Sequence, residues 1–308
     1  VKRLFVFLFL LVWHRPSGVL AFASGSLSFI EKSLLLWIAS LMRCKTFLFP
    51  RAGSIIEWVE QSPLRPLLVQ LMLKRVSCVF CQGKTFKKFA SDVCKVKDEN
   101  IVIVNNWTAC KSDVARGRIR LTKQIGFKKS RLLFVGWLEN EKGVWDLIEA
   151  LSYVRKRGRN FKVSVVGDGS QKDKLVAKAK ELGISNMLEF KGWLKKEELN
   201  NCYSQNDIFV LPSWNEGFPN ALIEAISFGL CPVVTNVGMI CDHLTDGVHG
   251  RIVPAKDPEL FASAVIEVID KPHLAKQYAS AANTVADRSF NPETSIGKLC
   301  EAISRRMA

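Results

Sequence analysis

From about residue 130 onward, short apolar runs rich in β-branched residues alternate with longer segments of helical periodicity. Continuous apolar runs of this kind are typical of strands buried on both faces of a parallel sheet. The runs are Leu132–Val135, Val163–Val166, Ile208–Leu211 and Pro232–Thr235. Between them, apolar residues recur at helical spacing, as in Val144–Leu151. The alternation predicts βαβ units and a doubly wound α/β domain.

The N-terminal half shows the same alternation more weakly. Three runs there are predicted to be strands: Thr46–Phe49, Val76–Phe80 and Ile101–Val104. The basic segment Ala115–Lys129 contains few apolar residues and is predicted to be an interdomain linker. At 308 residues the chain exceeds the usual size of a single hydrophobic core, which also favours two domains.

Two apolar segments occur near the start of the chain. Leu4–Trp13 is too short for a membrane span, which needs about 20 residues. The following Trp13–Pro16 is a poor signal-peptide cleavage site, so a buried strand and the end of a helix that begins outside this sequence both remain open. Leu34–Met42 is predicted to be a core or interfacial helix.

Composition excludes several protein classes. With 48% apolar and 24% charged residues, the chain is neither disordered, nor collagen-like, nor a polytopic membrane protein. Its nine cysteines are irregularly spaced and odd in number, which predicts free thiols in a reducing compartment. Cys78 and Cys81 form a CxxC pair, but no second pair completes a zinc site, and we predict no metal.

The net charge of +15 is unevenly distributed. Residues 1–124 hold 20 basic against 7 acidic side chains, and residues 125–308 hold 24 against 22. This asymmetry indicates that the first half faces an anionic partner: a membrane surface, a nucleic acid or a phosphorylated substrate. Solvated lysines would also account for it.

Ligands of open parallel sheets bind in the loops after the carboxyl ends of strands. Three loops occupy such positions: Gly136–Gly143, Gly167–Ser170 and Pro212–Asn220. The third precedes a helix that is predicted to start near Asn220, with this residue as its cap, and whose first amides favour an anion. Glu216 and Glu224 flank the helix start, where carboxylates could hold vicinal hydroxyls. Alternatively, Glu216 caps the helix and Glu224 is solvated.

The block Glu216–Glu224 resembles the E-x7-E element of retaining glycosyltransferases of the GT-B fold, specifically glycosyltransferase family four. Further segments resemble this family in the expected order: Leu133–Gly136, Lys142–Ala150, Val165–Gly169, Phe190–Trp193, Ala225–Val234 and Asp246–Pro254. The resemblance implies an α/β fold with two Rossmann-like domains, of which the N-terminal one is truncated or reduced. The implied divisions are a partial acceptor-binding domain 1–122, a donor-binding domain 123–290 and a C-terminal helix 291–308 that packs back on the N-terminal domain.

The resemblance also implies roles for individual residues. Glu216 and Lys142 would be catalytic, with Glu216 on the donor sugar and Lys142 on the diphosphate, and Glu224 would bind the ribose hydroxyls. The remaining donor-binding positions are Gly136, Gly167, Gly192, Trp193 near the base, Gly217, Phe218, Pro219 and Asn220. No cofactor is implied. One departure is Trp137, which stands where the family usually has a diphosphate-binding arginine.

The implied reaction is transfer of a hexose from a nucleotide diphosphate sugar, with retention of configuration, to a polysaccharide or lipid-linked saccharide such as a lipopolysaccharide precursor. The basic half and its apolar segments suit peripheral attachment to an anionic membrane at its cytoplasmic face. A non-catalytic nucleotide-sugar-binding subunit is the alternative that Trp137 favours, and an epimerase remains open on fold alone. A nucleic-acid partner is not expected, because no basic motif interleaved with aromatic residues is present.

Overall fold

A computed structural model describes residues 2–122 and 130–307, which form two compact units. The N-terminal unit contains the described residues up to Asn106, the short segment Glu216–Phe218 and the residues from Glu293 onward. The C-terminal unit contains Trp107–Asn215 and Pro219–Pro292, apart from the undescribed residues 123–129. The chain therefore passes between the units at residues 106–107 and again around 216–218 and 292–293.

Four parallel strands form the sheet of the N-terminal unit, in the order β1-β2-β3-β4. Its elements are α1 (Lys2–His14), β1 (Gly18–Ala23), α2 (Ser26–Leu41), β2 (Lys45–Pro50), α3 (Ser54–Glu60), α4 (Arg65–Leu73), β3 (Cys78–Cys81), α5 (Lys84–Asp92) and β4 (Ile101–Ile103). Its core includes Phe47 and Phe49, which both pack against Phe80.

The C-terminal unit contains six parallel strands in the order β10-β9-β8-β5-β6-β7. Its elements are α6 (Lys111–Thr122), β5 (Arg131–Val135), α7 (Val144–Lys156), β6 (Lys162–Val166), α8 (Lys172–Glu181), β7 (Leu188–Gly192), α9 (Lys196–Gln205), β8 (Ile208–Leu211), α10 (Asn220–Ser227), β9 (Cys231–Thr235), α11 (Ile240–His243), β10 (Arg251–Val253), α12 (Pro258–Asp270) and α13 (Pro272–Ser289). Strands β5 to β7 are added in one direction across the sheet, and strands β8 to β10 are added in the opposite direction, starting beside β5. This reversal makes the carboxyl ends of β5 and β8 the switch point where ligands of such sheets bind.

The helix α14 (Pro292–Met307) follows, and from Glu293 its residues belong to the N-terminal unit. Within that unit the Arg306 guanidinium donates to the Glu99 carbonyl, and the Ser295 hydroxyl donates to the Asn106 carbonyl at 3.4 Å. The first described strands and helix α14 therefore belong to the same unit.

The parallel α/β architecture confirms the predicted fold class, and each predicted strand overlaps an observed one. Three strands were missed. β7 contains Glu189 and Lys191, which interrupt its apolar run, and β10 has only three residues. β1 was missed although Val19–Ala23 is a continuous apolar run. The predicted linker Ala115–Lys129 is wrong for its first part, which lies in helix α6, while residues 123–129 lie outside the described residues. Leu4–Trp13 lies in helix α1, so this segment is not the buried strand of the first alternative.

Helices α6, α10 and α13 cross at a point where no side chain fits. A Cβ on Gly117 of α6 would lie 2.2 Å from the Ser227 carbonyl oxygen at the end of α10. The buried Asn283 amide of α13 donates to the Ile226 carbonyl at 3.1 Å and to the Ser227 carbonyl at 2.8 Å. These bonds satisfy carbonyls that the end of a helix leaves without intrahelical partners. They also fix α10 in place.

Gly117→Ala is expected to destabilise the C-terminal unit by about 1–3 kcal/mol, because the clash is with backbone that cannot rotate away. Gly297→Ala in α14 is the matched control: no atom lies within 4 Å of its added Cβ. There the better helix propensity of alanine should stabilise the protein by about 0.5–1 kcal/mol. Calorimetric unfolding of both variants measures these changes. Equal changes of the same sign in the free energy of unfolding would contradict the claim that Gly117 has no room for a side chain.

Candidate functional site

The carboxyl ends of β5, β6 and β7 carry three glycines whose backbones touch. The Gly136 amide donates to the Val166 carbonyl at 3.0 Å, and the Gly167 amide donates to the Gly192 carbonyl at 2.9 Å. Gly167 has a φ of +134°, and a Cβ there would lie 1.9 Å from the Gly136 oxygen. Only glycine fits this position, and the result is a strip of main chain without side chains along the carboxyl ends of β5, β6 and β7, of which β5 borders the switch point.

The loop after β5 brings Lys142 beside the loop after β8. Residues Asn140–Lys142 form a single helical turn that ends at Gly143, whose φ is +62°. A Cβ on Gly143 would lie 1.8 Å from the Pro212 oxygen, and the Trp214 amide donates to the Glu141 carbonyl at 2.8 Å. The half-buried Lys142 is therefore anchored next to the segment that leads into α10.

That segment is itself fixed from both sides. The Thr235 hydroxyl donates to the Ser213 carbonyl at 2.5 Å, and the Trp214 indole donates to the Asp146 carboxylate at 2.7 Å. Lys256 lies over the Trp214 ring, with its ammonium 5.2 Å from the ring centroid. Burial raises the pKa of Asp146, and the hydrogen bond from Trp214 and the charge of Lys256 partly offset this. The approach to α10 thus depends on side chains from α7, β9 and the loop after β10.

Helix α10 begins at Asn220 with Pro219 in the N-cap position, where its φ is −71° and its ψ is 123°. The prediction that Asn220 caps the helix is therefore wrong by one residue. Proline suits this position because its missing amide would not have found an intrahelical acceptor. Asn220 is exposed, and the helix N-terminus carries the partial positive charge that favours an anion.

Glu224, one turn into α10, is half-buried and hydrogen-bonded, so it is not the solvated residue of the alternative interpretation. The Tyr203 hydroxyl donates to its Oε2 at 2.9 Å. Burial raises the pKa of Glu224, and the Tyr203 hydrogen bond and the charge of Lys196 oppose the rise. Tyr203 is buried against Phe228, with ring centroids 5.4 Å apart. Sequence reasoning missed Tyr203. The sequence shows only a tyrosine within a helical segment, and its burial and its contact with Glu224 are seen only in the structure.

The segment Glu216–Phe218 belongs to the N-terminal unit, separate from Pro219, Asn220 and Glu224. There the Asn106 amide donates to the Phe218 carbonyl at 2.9 Å, and Gln82 donates to Asn106. A Cβ on Gly217 would lie 2.6 Å from the Arg51 carbonyl oxygen. Glu216, Gly217 and Phe218 are all buried. Gln82 and Asn106 were missed, although both follow strands of the first sheet.

The tryptophans beside the glycine strip form a pair. Trp137 follows Gly136, Trp193 follows Gly192, and their ring centroids are 5.4 Å apart. The predicted base-binding residue Trp193 therefore contacts the residue that departs from the family pattern.

The cysteines are free thiols, as predicted. Cys78 and Cys81 are buried in β3, where burial raises the pKa of the Cys78 thiol to about 11. Within residues 2–122 and 130–307, no three histidine, cysteine or acidic side chains are grouped as metal ligands would be.

Comparison with known proteins identifies related sequences. The family described as glycosyl transferases group 1 matches residues 118–285. A glycogen synthase of Mycobacterium tuberculosis is 33% identical over 165 residues, which cover 54% of this chain and 40% of the relative. A D-inositol 3-phosphate glycosyltransferase of Frankia alni is 31% identical over 179 residues, 55% of this chain and 44% of the relative. The matched region thus spans less than half of these relatives.

Solved structures share the fold. The Anabaena protein HepE in complex with UDP and glucose superposes with a TM-score of 0.73 at 19% identity, covering 93% of this chain and 78% of that one. Sucrose-phosphate synthase from Thermosynechococcus elongatus superposes with a TM-score of 0.78 at 17% identity, covering 99% of this chain and 77% of that one. These similarities establish the GT-B fold with two Rossmann-like domains.

The raised pKa of Glu224 makes Glu224→Gln a test of its environment. Because the folded pKa lies above the unfolded one, the parent loses stability as pH rises from the ordinary glutamate range through the raised value. Glutamine can still accept the Tyr203 hydrogen bond without that loss. Denaturant titrations from pH 4 to 7 should show the variant gaining stability relative to the parent. Glu149→Gln, which removes a carboxylate at an exposed position of α7, is the matched control. A relative loss with rising pH would contradict the burial argument.

Proposed function

Because this chain belongs to the glycosyl transferases of group 1, we propose that it transfers a sugar from a nucleoside diphosphate sugar to an acceptor hydroxyl. The observation that carries the proposal is the carboxyl edge of the C-terminal sheet, where bare glycine backbone follows β5 to β7 and the loop with Lys142 lies against the loop that leads from β8 into α10. As the family resemblance implies, the sugar is a hexose and its anomeric configuration is retained.

The donor diphosphate is assigned to the glycine strip and the two loops beside it. Glycines leave room for the diphosphate to lie against bare main chain, Lys142 supplies a full positive charge, and α10 supplies the partial charge of its N-terminus. A departing nucleoside diphosphate develops negative charge on its leaving oxygen. A preorganised lysine and helix N-terminus stabilise that charge as it forms, and the proposal requires no metal for this step.

The ribose is assigned to Glu224. Tyr203 holds Oε2 of its carboxylate at 2.9 Å and so fixes the side-chain rotamer. Oε1 would then accept hydrogen bonds from the ribose hydroxyls. Such hydrogen bonds contribute more binding free energy when the acceptor is charged than when it is neutral. A half-buried carboxylate with a raised pKa gains from such donors, because they favour its ionised form.

Glu216 is assigned to the donor sugar, together with the backbone of Gly217, Phe218 and Pro219. In the N-terminal unit this segment is immobilised by the Asn106 hydrogen bond to the Phe218 carbonyl. The close approach of Gly217 to Arg51 excludes any larger residue there. Rigid backbone of this kind positions a buried acid with the accuracy that sugar binding needs.

The acceptor is assigned to a polysaccharide or lipid-linked saccharide at an anionic membrane, with the protein on the cytoplasmic face. One side of α1 packs on α2 through Leu11, which is 2% exposed. The other side presents Phe5, Phe9 and Trp13, which are 68%, 59% and 73% exposed. Helix α4 has a second exposed apolar stripe, Leu64, Leu67, Leu68 and Leu71. Among the described helices, none has the length and apolar character needed to cross a bilayer.

Donor binding should depend on Glu224 and Lys142. In calorimetric titrations with UDP, GDP and ADP, we expect Glu224→Ala to abolish measurable binding of the preferred nucleotide. Lys142→Ala should weaken binding roughly 10- to 150-fold, the range of a lost charge-assisted hydrogen bond. Glu149→Gln should bind like the parent. A parent that binds nucleotide while Glu224→Ala binds it equally well would remove the ribose assignment. Binding of donor sugar without hydrolysis or transfer to membrane extract would favour the non-catalytic subunit.

Membrane attachment should depend on the exposed side of α1. Flotation with vesicles of phosphatidylcholine plus phosphatidylglycerol should recover the parent, and pure phosphatidylcholine should recover less, because residues 1–124 carry the excess of positive charge. A Phe5→Ser, Phe9→Ser, Trp13→Ser triple variant should float at least 10-fold less. Val176→Ser and Val248→Ser, at exposed positions of the C-terminal unit, are the controls. Equal flotation of parent and triple variant contradicts the assignment.

A further inference from the structure

Trp137 and Trp193 lie on loops that are not neighbours in the sheet. Trp137 follows β5, Trp193 follows β7, and β6 lies between them. Adjacent strands are about 4.8 Å apart, so the strands that carry these residues are separated by roughly 10 Å. The two rings nevertheless approach to 5.4 Å between centroids. The indoles therefore lean toward each other across the end of the middle strand.

The backbone beneath the rings permits this approach. Gly167, at the end of β6, has no side chain that would separate the two indoles, and it bonds directly to Gly192. The pairing register between β6 and β7 shifts between Val165 and Val166 of β6, so that Gly192 pairs with Val166. The planes of the rings are inclined at 40°, and both rings are exposed to solvent.

Folding alone does not account for the pair. Trp137 is 56% exposed and Trp193 is 70% exposed. The large apolar side chains with comparable exposure in the described C-terminal unit are otherwise aliphatic: Ile119, Val176, Val248 and Leu260. The two strongly exposed aromatic residues of this part of the structure thus meet at the carboxyl edge of the sheet, where a ligand is expected. Exposed aromatic faces at such a position are typical of a stacking surface.

We propose that Trp137 and Trp193 form one aromatic wall on which the nucleobase of the donor stacks, so that Trp137 sets donor affinity through the base. This inference rests on the proposed function and adds a residue and a mode of recognition to it. The salt bridge between Lys172 and Asp168, at 3.5 Å, lies beside Gly192 and provides polar groups for the edge of the base. Stacking on an indole accepts any base, so the larger purine ring should gain more from Trp137 than a pyrimidine does.

Calorimetric titration of four proteins with UDP, GDP and inorganic pyrophosphate tests the wall. The proteins are the parent, Trp137→Ala, Trp137→Phe and the control Trp13→Ala, which removes a comparably exposed tryptophan from the N-terminal unit. Trp137→Ala should weaken nucleotide binding roughly 5- to 150-fold, with the larger loss for GDP, and leave pyrophosphate binding unchanged. Trp137→Phe should restore most of the affinity, and Trp13→Ala should match the parent. All the substituted side chains are exposed, so folding should be retained.

Each other outcome overturns the inference in a distinguishable way. Equal losses for nucleotides and pyrophosphate would show that Trp137 supports the phosphate loop instead of stacking the base. Unchanged nucleotide binding by Trp137→Ala, in a protein whose Glu224→Ala variant has lost it, would remove the wall and leave the proposed function standing. A parent that binds no nucleotide would overturn both.

Discussion

Contact of main chain with main chain at the carboxyl edge of the C-terminal sheet is the constraint on which the rest of the site depends. Gly143 lies against Pro212 and Gly167 lies against Gly136, in each case closer than any Cβ permits. Through these contacts the loops after β5, β6 and β8 position one another. Lys142 and the start of α10 inherit their places from this arrangement, because each adjoins one of these loops. A surface of bare main chain is obtained at the cost of side-chain packing that larger residues would supply.

The helix that follows shows how stability and ligand binding oppose each other. Asn283 and the close crossing at Gly117 hold the end of α10, while the Tyr203 hydroxyl holds Glu224 near its start. Burial raises the pKa of that acid, which means that its ionised form costs the fold some stability near neutral pH. Acids kept in such positions are common at functional sites, where a ligand supplies the missing donors.

The sequence predicts the strands with continuous apolar runs well, because burial on both faces of a parallel sheet leaves little freedom of composition. It does not reveal β7, whose charged residues suit a position at the edge of a sheet. The basic composition of α6 concealed a helix that packs through only a few residues, Gly117 among them. At the site, ordered motifs located Glu216, Glu224 and Lys142. Tyr203, Gln82 and Asn106 could not be found, because their roles come from contacts between distant segments.

The two units differ in which surface they leave uncovered. The N-terminal unit exposes aliphatic and aromatic side chains of α1 and α4 within a chain segment of strong positive charge. The C-terminal unit exposes two indoles in contact at the end of its sheet. A broad apolar area next to positive charge suits an extended anionic surface, since neither apolar burial nor electrostatic attraction to lipid headgroups needs precise geometry. A single pair of rings fixed above rigid backbone suits one planar group of defined size. Exposed apolar side chains therefore indicate different partners in the two units. The surface of α1 and α4 suits an extended membrane, and the tryptophan pair suits a single planar ring.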